Sequence, residues 1–189
     1  MRPPTHTTGS CDGDFVASDL LTARLLLRRP AADDVPSILA IHRDERACAH
    51  NPSDRLVAET EALDLYHRWD EHWRRHGFGY WVVCHQDDGE ILGFCGVKLM
   101  QLHGLEVLNL FYRLDPAVWG RGFATEAAIA VAQWAAADAS HWPVLARVRP
   151  ANTASIRVAE RTGLRRAERL DTFGEDGHDL IYVARWPVS

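Results

Sequence analysis

The sequence predicts an α+β fold: a mixed, mostly antiparallel central sheet with helices on both faces. Three observations carry that assignment. Strand-like runs recur through the chain, several meeting at short turns suited to antiparallel neighbours. Two helical runs fall near the start, before most of the strands. An alanine-rich helical run later separates two strands, the arrangement of a right-handed crossover between parallel neighbours. The predicted order is strand, two helices, three strands, helix, strand, helix and two closing strands.

The chain has 189 residues, 47% hydrophobic and 25% charged, enough for one domain with a substantial core. Met1 to Ser18 holds Pro3-Pro4, threonines and glycines without a hydrophobic period. This stretch, 1–18, is expected to be a mobile tail, leaving 19–189 as a single domain. Leu21 to Arg29 reads as the first strand, stopped by Pro30, and Asp33 and Asp34 open a helix through His42. Asn51-Pro52-Ser53-Asp54 breaks the chain. From Thr60 to His76, Ala62, Tyr66, Trp69 and Trp73 recur at helical spacing and are expected in the core. His72 and His76 stand four apart with Trp-Arg-Arg between them and no obvious third ligand, so a solvated helix face is expected rather than a metal site.

Phe78 to Gln86 and Ile91 to Leu99 are strands joined through Asp87-Asp88-Gly89-Glu90. A strand at Leu105 to Leu114 and a helix at Ala124 to Ala137 flank a glycine turn, and Pro143 to Arg149 is the next strand. Asn152 to Gly163 is a short helix, with Asn152 at the N-cap and Gly163 just past its end. Arg165 to Leu170 and Leu180 to Trp186 form a closing antiparallel pair across the loop Phe173 to Gly177.

The net charge of -5 argues against nucleic acid as a partner and mildly favours a cationic one. Cys11, Cys48, Cys84 and Cys95 lack a Cys-x-x-Cys spacing and are expected to be reduced packing residues. No signal-peptide or membrane-spanning run is evident, so a cytoplasmic location away from membranes is expected.

The most informative stretch runs from Leu114 to Ala127, Leu-Asp-Pro-Ala-Val-Trp-Gly-Arg-Gly-Phe-Ala-Thr-Glu-Ala. Strand, glycine turn and helix start together make an anion site. The first amides of a helix lack intrahelical acceptors, and the macrodipole adds about half a positive charge there. A dinucleotide fingerprint would need glycine at Thr125, and a Walker loop would need Gly-Lys-Ser/Thr, whereas Lys98 is the only lysine. A nucleotide-phosphate protein using the same turn is therefore a remote reading.

The phrase Asp-Pro-x-x-Trp-Gly-x-Gly-x-Ala-Thr-Glu-Ala resembles the acetyl-CoA-binding turn of the GCN5-related N-acetyltransferases (GNAT), in the form found in the ribosomal-protein alanine acetyltransferase branch, the RimJ/RimL-like enzymes. The resemblance covers about Leu21 to Trp186. It implies a parallel pair formed by the fourth and fifth strands, splayed at its ends, and acetyl-CoA as co-substrate without a metal. It places Trp119, Gly120, Arg121, Gly122, Phe123, Ala124 and Thr125 at the pyrophosphate. Tyr112, Arg113 and Leu114 then lie along the pantetheine arm, which the Asn152 side chain also meets, with Ser155 near the thioester. Seven arginines between Arg147 and Arg169, against Glu160 and Glu168, offer a basic face to that anionic co-substrate.

The implied reaction is direct attack by a primary amine on the acetyl thioester. It needs a neutral amine, a donor for the developing oxyanion near Arg113 or Leu114, and a proton for the departing thiolate. Many members place a tyrosine four residues before the glycine closing the last helix; here that residue is Ala159, so the resemblance makes Ser155 the better proton-donor candidate, with a water-assisted exit open and Tyr182 a distant alternative. A glutamate common on the fourth strand is replaced by Asn109, which cannot accept a proton at neutral pH; Glu168, on the sixth strand, is a base candidate but is expected rather to pair with nearby arginines, and an acceptor arriving neutral or through a water chain needs no dedicated base. The acceptor is expected to be a protein N-terminal amine or a small amine, and the protein a monomer or homodimer. The alternative is a regulatory module that binds acyl-CoA without turnover.

Overall fold

The computed structural model describes residues 17–184. In chain order these form β1 (Leu20–Leu21), β2 (Leu25–Arg28), α1 (Val35–Arg43), α2 (Glu59–His76), β3 (Tyr80–His85), β4 (Ile91–Leu102), β5 (Leu105–Leu114), α3 (Phe123–Asp138), β6 (Val144–Val148), α4 (Thr153–Arg161), β7 (Arg165–Arg166), β8 (Thr172–Gly174) and β9 (Gly177–Val183). All but two of the expected tail residues lie outside the described residues, as do Cys11 and the end of the last expected strand at Trp186.

Each element has a local cause. The Glu61 carboxylate accepts from the Val57 and Ala58 amides at 2.7 and 3.0 Å and starts α2, and Gly77 in the left-handed region stops it. The Asn152 side chain accepts from the Ser155 amide at 3.0 Å and starts α4. The strands lie in the order β1-β2-β3-β4-β5-β6-β9-β7, with β8 added against β9. Neighbours are antiparallel except β5 and β6, which are joined through α3 and run parallel.

Apolar side chains leave both faces of the sheet. On one, Trp81, Cys95, Leu108 and Leu110 pack with Ala127, Val131 and Trp134 of α3 and Ala159 of α4. On the other, Val82, Cys84 and Phe94 meet Ile38 and Ile41 of α1 and Ala62 and Trp69 of α2. Burying a side chain such as Phe94 contributes roughly 1.5–3 kcal/mol. Cys48, Cys84 and Cys95 are buried free thiols.

Three sequence expectations change. The first strand is two short strands rather than one, because the Thr22 hydroxyl accepts from the Leu25 amide at 2.9 Å and turns the chain, pairing Leu20 with Leu27. The splayed parallel pair is consequently β5 and β6. At the other end the strand expected over Arg165 to Leu170 stops at Arg166. Arg166 holds the Asp171 carboxylate through both terminal nitrogens, and Asp171 accepts from the Ile181 amide at 3.1 Å. Glu168 therefore sits in a short 3-10 turn, not on a strand. Finally, His72 is half-buried rather than solvated, and both its ring nitrogens are engaged: Nδ1 with the Phe78 carbonyl at 2.8 Å and Nε2 with the Leu99 amide at 3.2 Å. Two backbone partners of opposite character fix it as a neutral structural side chain.

Candidate active site

Residues Leu108 and Asn109 of β5 register with Val144 and Leu145 of β6, and beyond them the two strands part. The opposite edge of β5 stays paired with β4 as far as Leu114, opposite Gly93. Backbone groups alternate along a strand. The Leu108 amide donates to the Pro143 carbonyl on the β6 side, so Leu110, Tyr112 and Leu114 also turn their backbone groups toward the gap. This corrects part of the sequence reading: the Arg113 backbone faces β4, away from the gap. One gap-facing group, the Leu114 carbonyl, already accepts from the Trp119 indole at 2.9 Å.

The glycine turn follows. A 3-10 turn at Pro116–Val118 is capped by Asp115, whose side chain accepts from the Ala117 amide at 2.8 Å. Gly120 and Gly122 have φ of 76° and 83°, a region that L side chains rarely adopt. A Cβ on Gly120 would meet nothing within 4 Å, and one on Gly122 would meet only the Arg24 Nη2 at 3.6 Å. The Glu126 amide donates to the Gly122 carbonyl at 3.1 Å, leaving the earlier amides of the turn without intrahelical acceptors. Ala124 and Thr125 complete the first turn of α3.

Arg24, which nothing in the sequence marked, braces this turn. It donates to the Arg121 carbonyl at 3.1 Å and to Glu126 at 2.7 Å, and its guanidinium stands 4.5 Å from the centre of the Phe123 ring. Arg121 approaches the same ring at 4.8 Å. Burial alone would raise the Glu126 carboxyl, but hydrogen bonds from Thr22 and Arg24 hold it below the ordinary value. Two guanidiniums thus flank a set of open amides.

At the start of α4, the Ser155 hydroxyl lies 2.6 Å from the Tyr112 hydroxyl, which also donates to the Ser155 carbonyl at 3.0 Å. Burial pushes the Tyr112 phenol up to about 12, against the hydrogen bond to Ser155, so it stays protonated at neutral pH. The sequence placed both residues at the site but gave no sign that they touch, because 43 residues separate them.

A cavity of about 640 Å³ extends from Tyr112, Asn152 and Ser155 to the α1–α2 side of the sheet. Asn109, Phe111 and Arg113 line it from β5, Arg147 and Arg149 from the β6 end, and Arg68, Trp69 and His72 from α2. The α1–α2 connection is tied across it. Ser53 donates to Asp176 from its amide and hydroxyl at 3.0 and 2.6 Å, Arg149 donates to Asn51 at 2.9 Å, and Arg113 pairs with Asp54 at 2.6 Å. Asp179 is buried between Arg147 and Arg149 at 2.5 and 3.1 Å. His42, also lining the cavity, is pushed down to about 4, chiefly by burial and then by the Arg113 charge, so it is neutral at pH 7.

The structure therefore brings Asn109, Tyr112, Arg113, Asn152 and Ser155 around one cavity, beyond which the turn from Trp119 to Thr125 opens α3. It separates Glu168, which is exposed and lines no part of that cavity. Asp54, Arg147 and Arg149 escaped the sequence reading as cavity residues; alternation along Asn109, Phe111 and Arg113 was the one available signal for a polar face there.

Comparison with known proteins agrees with this geometry. The acetyltransferase (GNAT) domain family matches residues 24–165. An acetyltransferase from Agrobacterium tumefaciens has a solved structure that superposes with a TM-score of 0.75 at 25% identity, covering 94% of this chain and 100% of the other. RimL, a ribosomal L7/L12 α-N-protein acetyltransferase solved with coenzyme A, gives 0.70 at 18% identity over 87% and 96% of the two chains. A spermidine N-acetyltransferase from Vibrio cholerae, solved with coenzyme A and spermine, gives 0.67 at 15% identity over 86% and 95%. The last two likenesses show the fold. The uncharacterized protein YkkB of Bacillus subtilis is 34% identical over 89 residues, 47% of this chain, and the chain spans about half the length of that curated relative. Sheet topology, glycine turn and family match converge: the chain belongs to the GNAT acetyltransferase family.

Proposed function

We propose that this protein transfers an acetyl group from acetyl-CoA to a primary amine, a protein N-terminal amine or a small amine, by direct attack within one domain. The observation that carries this is the parting of β5 from β6 beside a helix start held open by Gly120 and Gly122. When bound, acetyl-CoA supplies the activated acyl group. The amides between Gly120 and Thr125, with Arg24 and Arg121 beside them, would hold its pyrophosphate. The gap-facing backbone of Tyr112 and Leu114 would take the pantetheine arm, with Asn152 near it. The open space over both glycines and the one-sided edge of β5 fit such a ligand.

Ser155 would donate the proton to the departing sulfur, with Tyr112 holding its hydroxyl at 2.6 Å. An amide of Tyr112 or Leu114 at the gap would meet the developing oxyanion. Asn109 cannot accept a proton at neutral pH, His42 is a weak base there, and Glu168 is remote from the cavity. The cavity carboxylates Asp54, Asp176 and Asp179 are engaged by arginines or Ser53, so the proposed route takes the amine to the thioester already neutral. The test is acetyl transfer from labelled acetyl-CoA to a panel of peptides and small amines, with identification of the modified nitrogen. Acetyl-CoA binding without transfer to any of them would favour the non-catalytic module.

A further inference from the structure

The acceptor cavity holds a buried guanidinium that is only half answered, in a chain whose net charge is -5. Its lining includes five cationic side chains, Arg68, Lys98, Arg113, Arg147 and Arg149, and four carboxylates, Asp54, Glu175, Asp176 and Asp179. The carboxylates are largely committed. Asp179 serves two arginines, Asp176 takes Ser53 and lies 3.8 Å from Arg149, and Asp54 takes Arg113. Glu175 is exposed at the rim. Arg68 and Lys98 are likewise exposed, whereas the buried Arg113 Nη1 has no hydrogen-bond partner among the described residues. The Arg113 side chain is only 5% exposed, while its partner Asp54 is 46% exposed. A buried guanidinium N–H without an acceptor is destabilising, so a fold that retains one calls for an explanation.

Resting on the acetyl-transfer reading, we propose that the acceptor is an amine that also carries an anionic oxygen group, a carboxylate or a phosphate, received by Arg113. A carboxylate oxygen accepting from Nη1 would complete the guanidinium that Asp54 satisfies at Nη2. The same charge solves the missing-base problem. Cationic neighbours disfavour a second cation, so the amine loses its proton more readily in this cavity, while its own anionic group offsets the repulsion on entry. Asn109 in place of a glutamate then fits a site that lowers the acceptor's proton affinity instead of accepting its proton. A polyamine, with several ammonium groups and no anion, is the acceptor class this lining suits least.

The test uses the full-length wild-type protein, saturating acetyl-CoA and matched acceptors: glycylglycine against glycylglycinamide, β-alanine against propylamine, and phosphoethanolamine against ethanolamine, with spermidine as the polycation. Thiol release is followed. The expected result is a kcat/KM at least tenfold higher for the anionic member of one or more pairs, and lowest for spermidine. A preference confined to carboxylates or to phosphoethanolamine identifies which anion is read. Arg113→Met should collapse the anionic-to-neutral ratio toward one; its exposed partner Asp54 can turn to water, and the wild-type comparison stands even if the variant fails to fold. Turnover with equal or reversed preference overturns the inference and leaves acetyl transfer intact. Bound acetyl-CoA with no turnover of any amine overturns both.

Discussion

Gly122→Ala and Gly163→Ala form a matched pair that separates backbone strain from ligand binding. Both positions hold left-handed backbone, with φ of 83° and 89°. A Cβ at Gly163 would meet nothing within 4 Å, and one at Gly122 only the far end of Arg24 at 3.6 Å, so neither substitution overpacks. Each should therefore lose about 1–2 kcal/mol from the left-handed conformation alone. For a domain of this size that lowers Tm by roughly 2–8 °C in both variants. In the proposed reading only Gly122 lies where the diphosphate approaches the open amides. Displacing it would lose at least one charge-assisted hydrogen bond, about 1.5–3 kcal/mol, or roughly ten- to hundredfold in Kd. Isothermal titration with acetyl-CoA and differential scanning calorimetry on both variants measure the two effects. Equal acetyl-CoA affinity in Gly122→Ala, Gly163→Ala and the unsubstituted protein would refute the assignment of the turn as the pyrophosphate site.

Three further outcomes are expected. Ser155→Ala should lower kcat at saturating acetyl-CoA by roughly ten- to hundredfold with little change in Kd, and Tyr112→Phe, which releases the Ser155 hydroxyl and carbonyl, by about fivefold; an unchanged rate in Ser155→Ala removes it as proton donor. Gly96→Ala should lower Tm by roughly 10 °C or abolish folding, because its Cβ would lie 2.3 Å from the Gly79 carbonyl oxygen and 2.5 Å from the Tyr80 Cα, backbone atoms that cannot swing aside; thermal unfolding within 2 °C of the unsubstituted protein would contradict that packing. Stability should also fall with acid earlier than carboxylate titration alone predicts. His42 and His72 both titrate near 4 in the folded protein, chiefly through burial, against 6.5 as free side chains. The unfolded chain therefore binds more protons below pH 6.5, so stability is full above that pH and declines by up to about 1.4 kcal/mol per pH unit per histidine down to pH 4. Urea unfolding between pH 7 and 4.5 reads the slope, and His42→Gln should reduce it.

The sequence by itself determined the four helices and the central strands β3 to β6, because hydrophobic period, caps and turn residues act over a few neighbouring positions. Asn152 and Gly163 bound α4 where their cap chemistry said, and Ala62, Trp69 and Trp73 are buried as their helical spacing required. It determined the glycine turn too, since Gly120 and Gly122 are needed for backbone angles that belong to the turn itself. The tertiary structure decided what depends on partners distant in the chain. The Thr22–Leu25 turn in the first strand is local, but Glu126, about a hundred positions on, fixes it against α3 by receiving both Thr22 and Arg24. Arg166 and Asp171 end β7 and take Glu168 off the sheet. Pairing of β5 with β4 turned the Arg113 backbone from the gap and its side chain into the cavity, beside an aspartate from the α1–α2 connection. Local periodicity records which residues share a face; which charges meet across that face is settled only when segments far apart in the chain pack against one another.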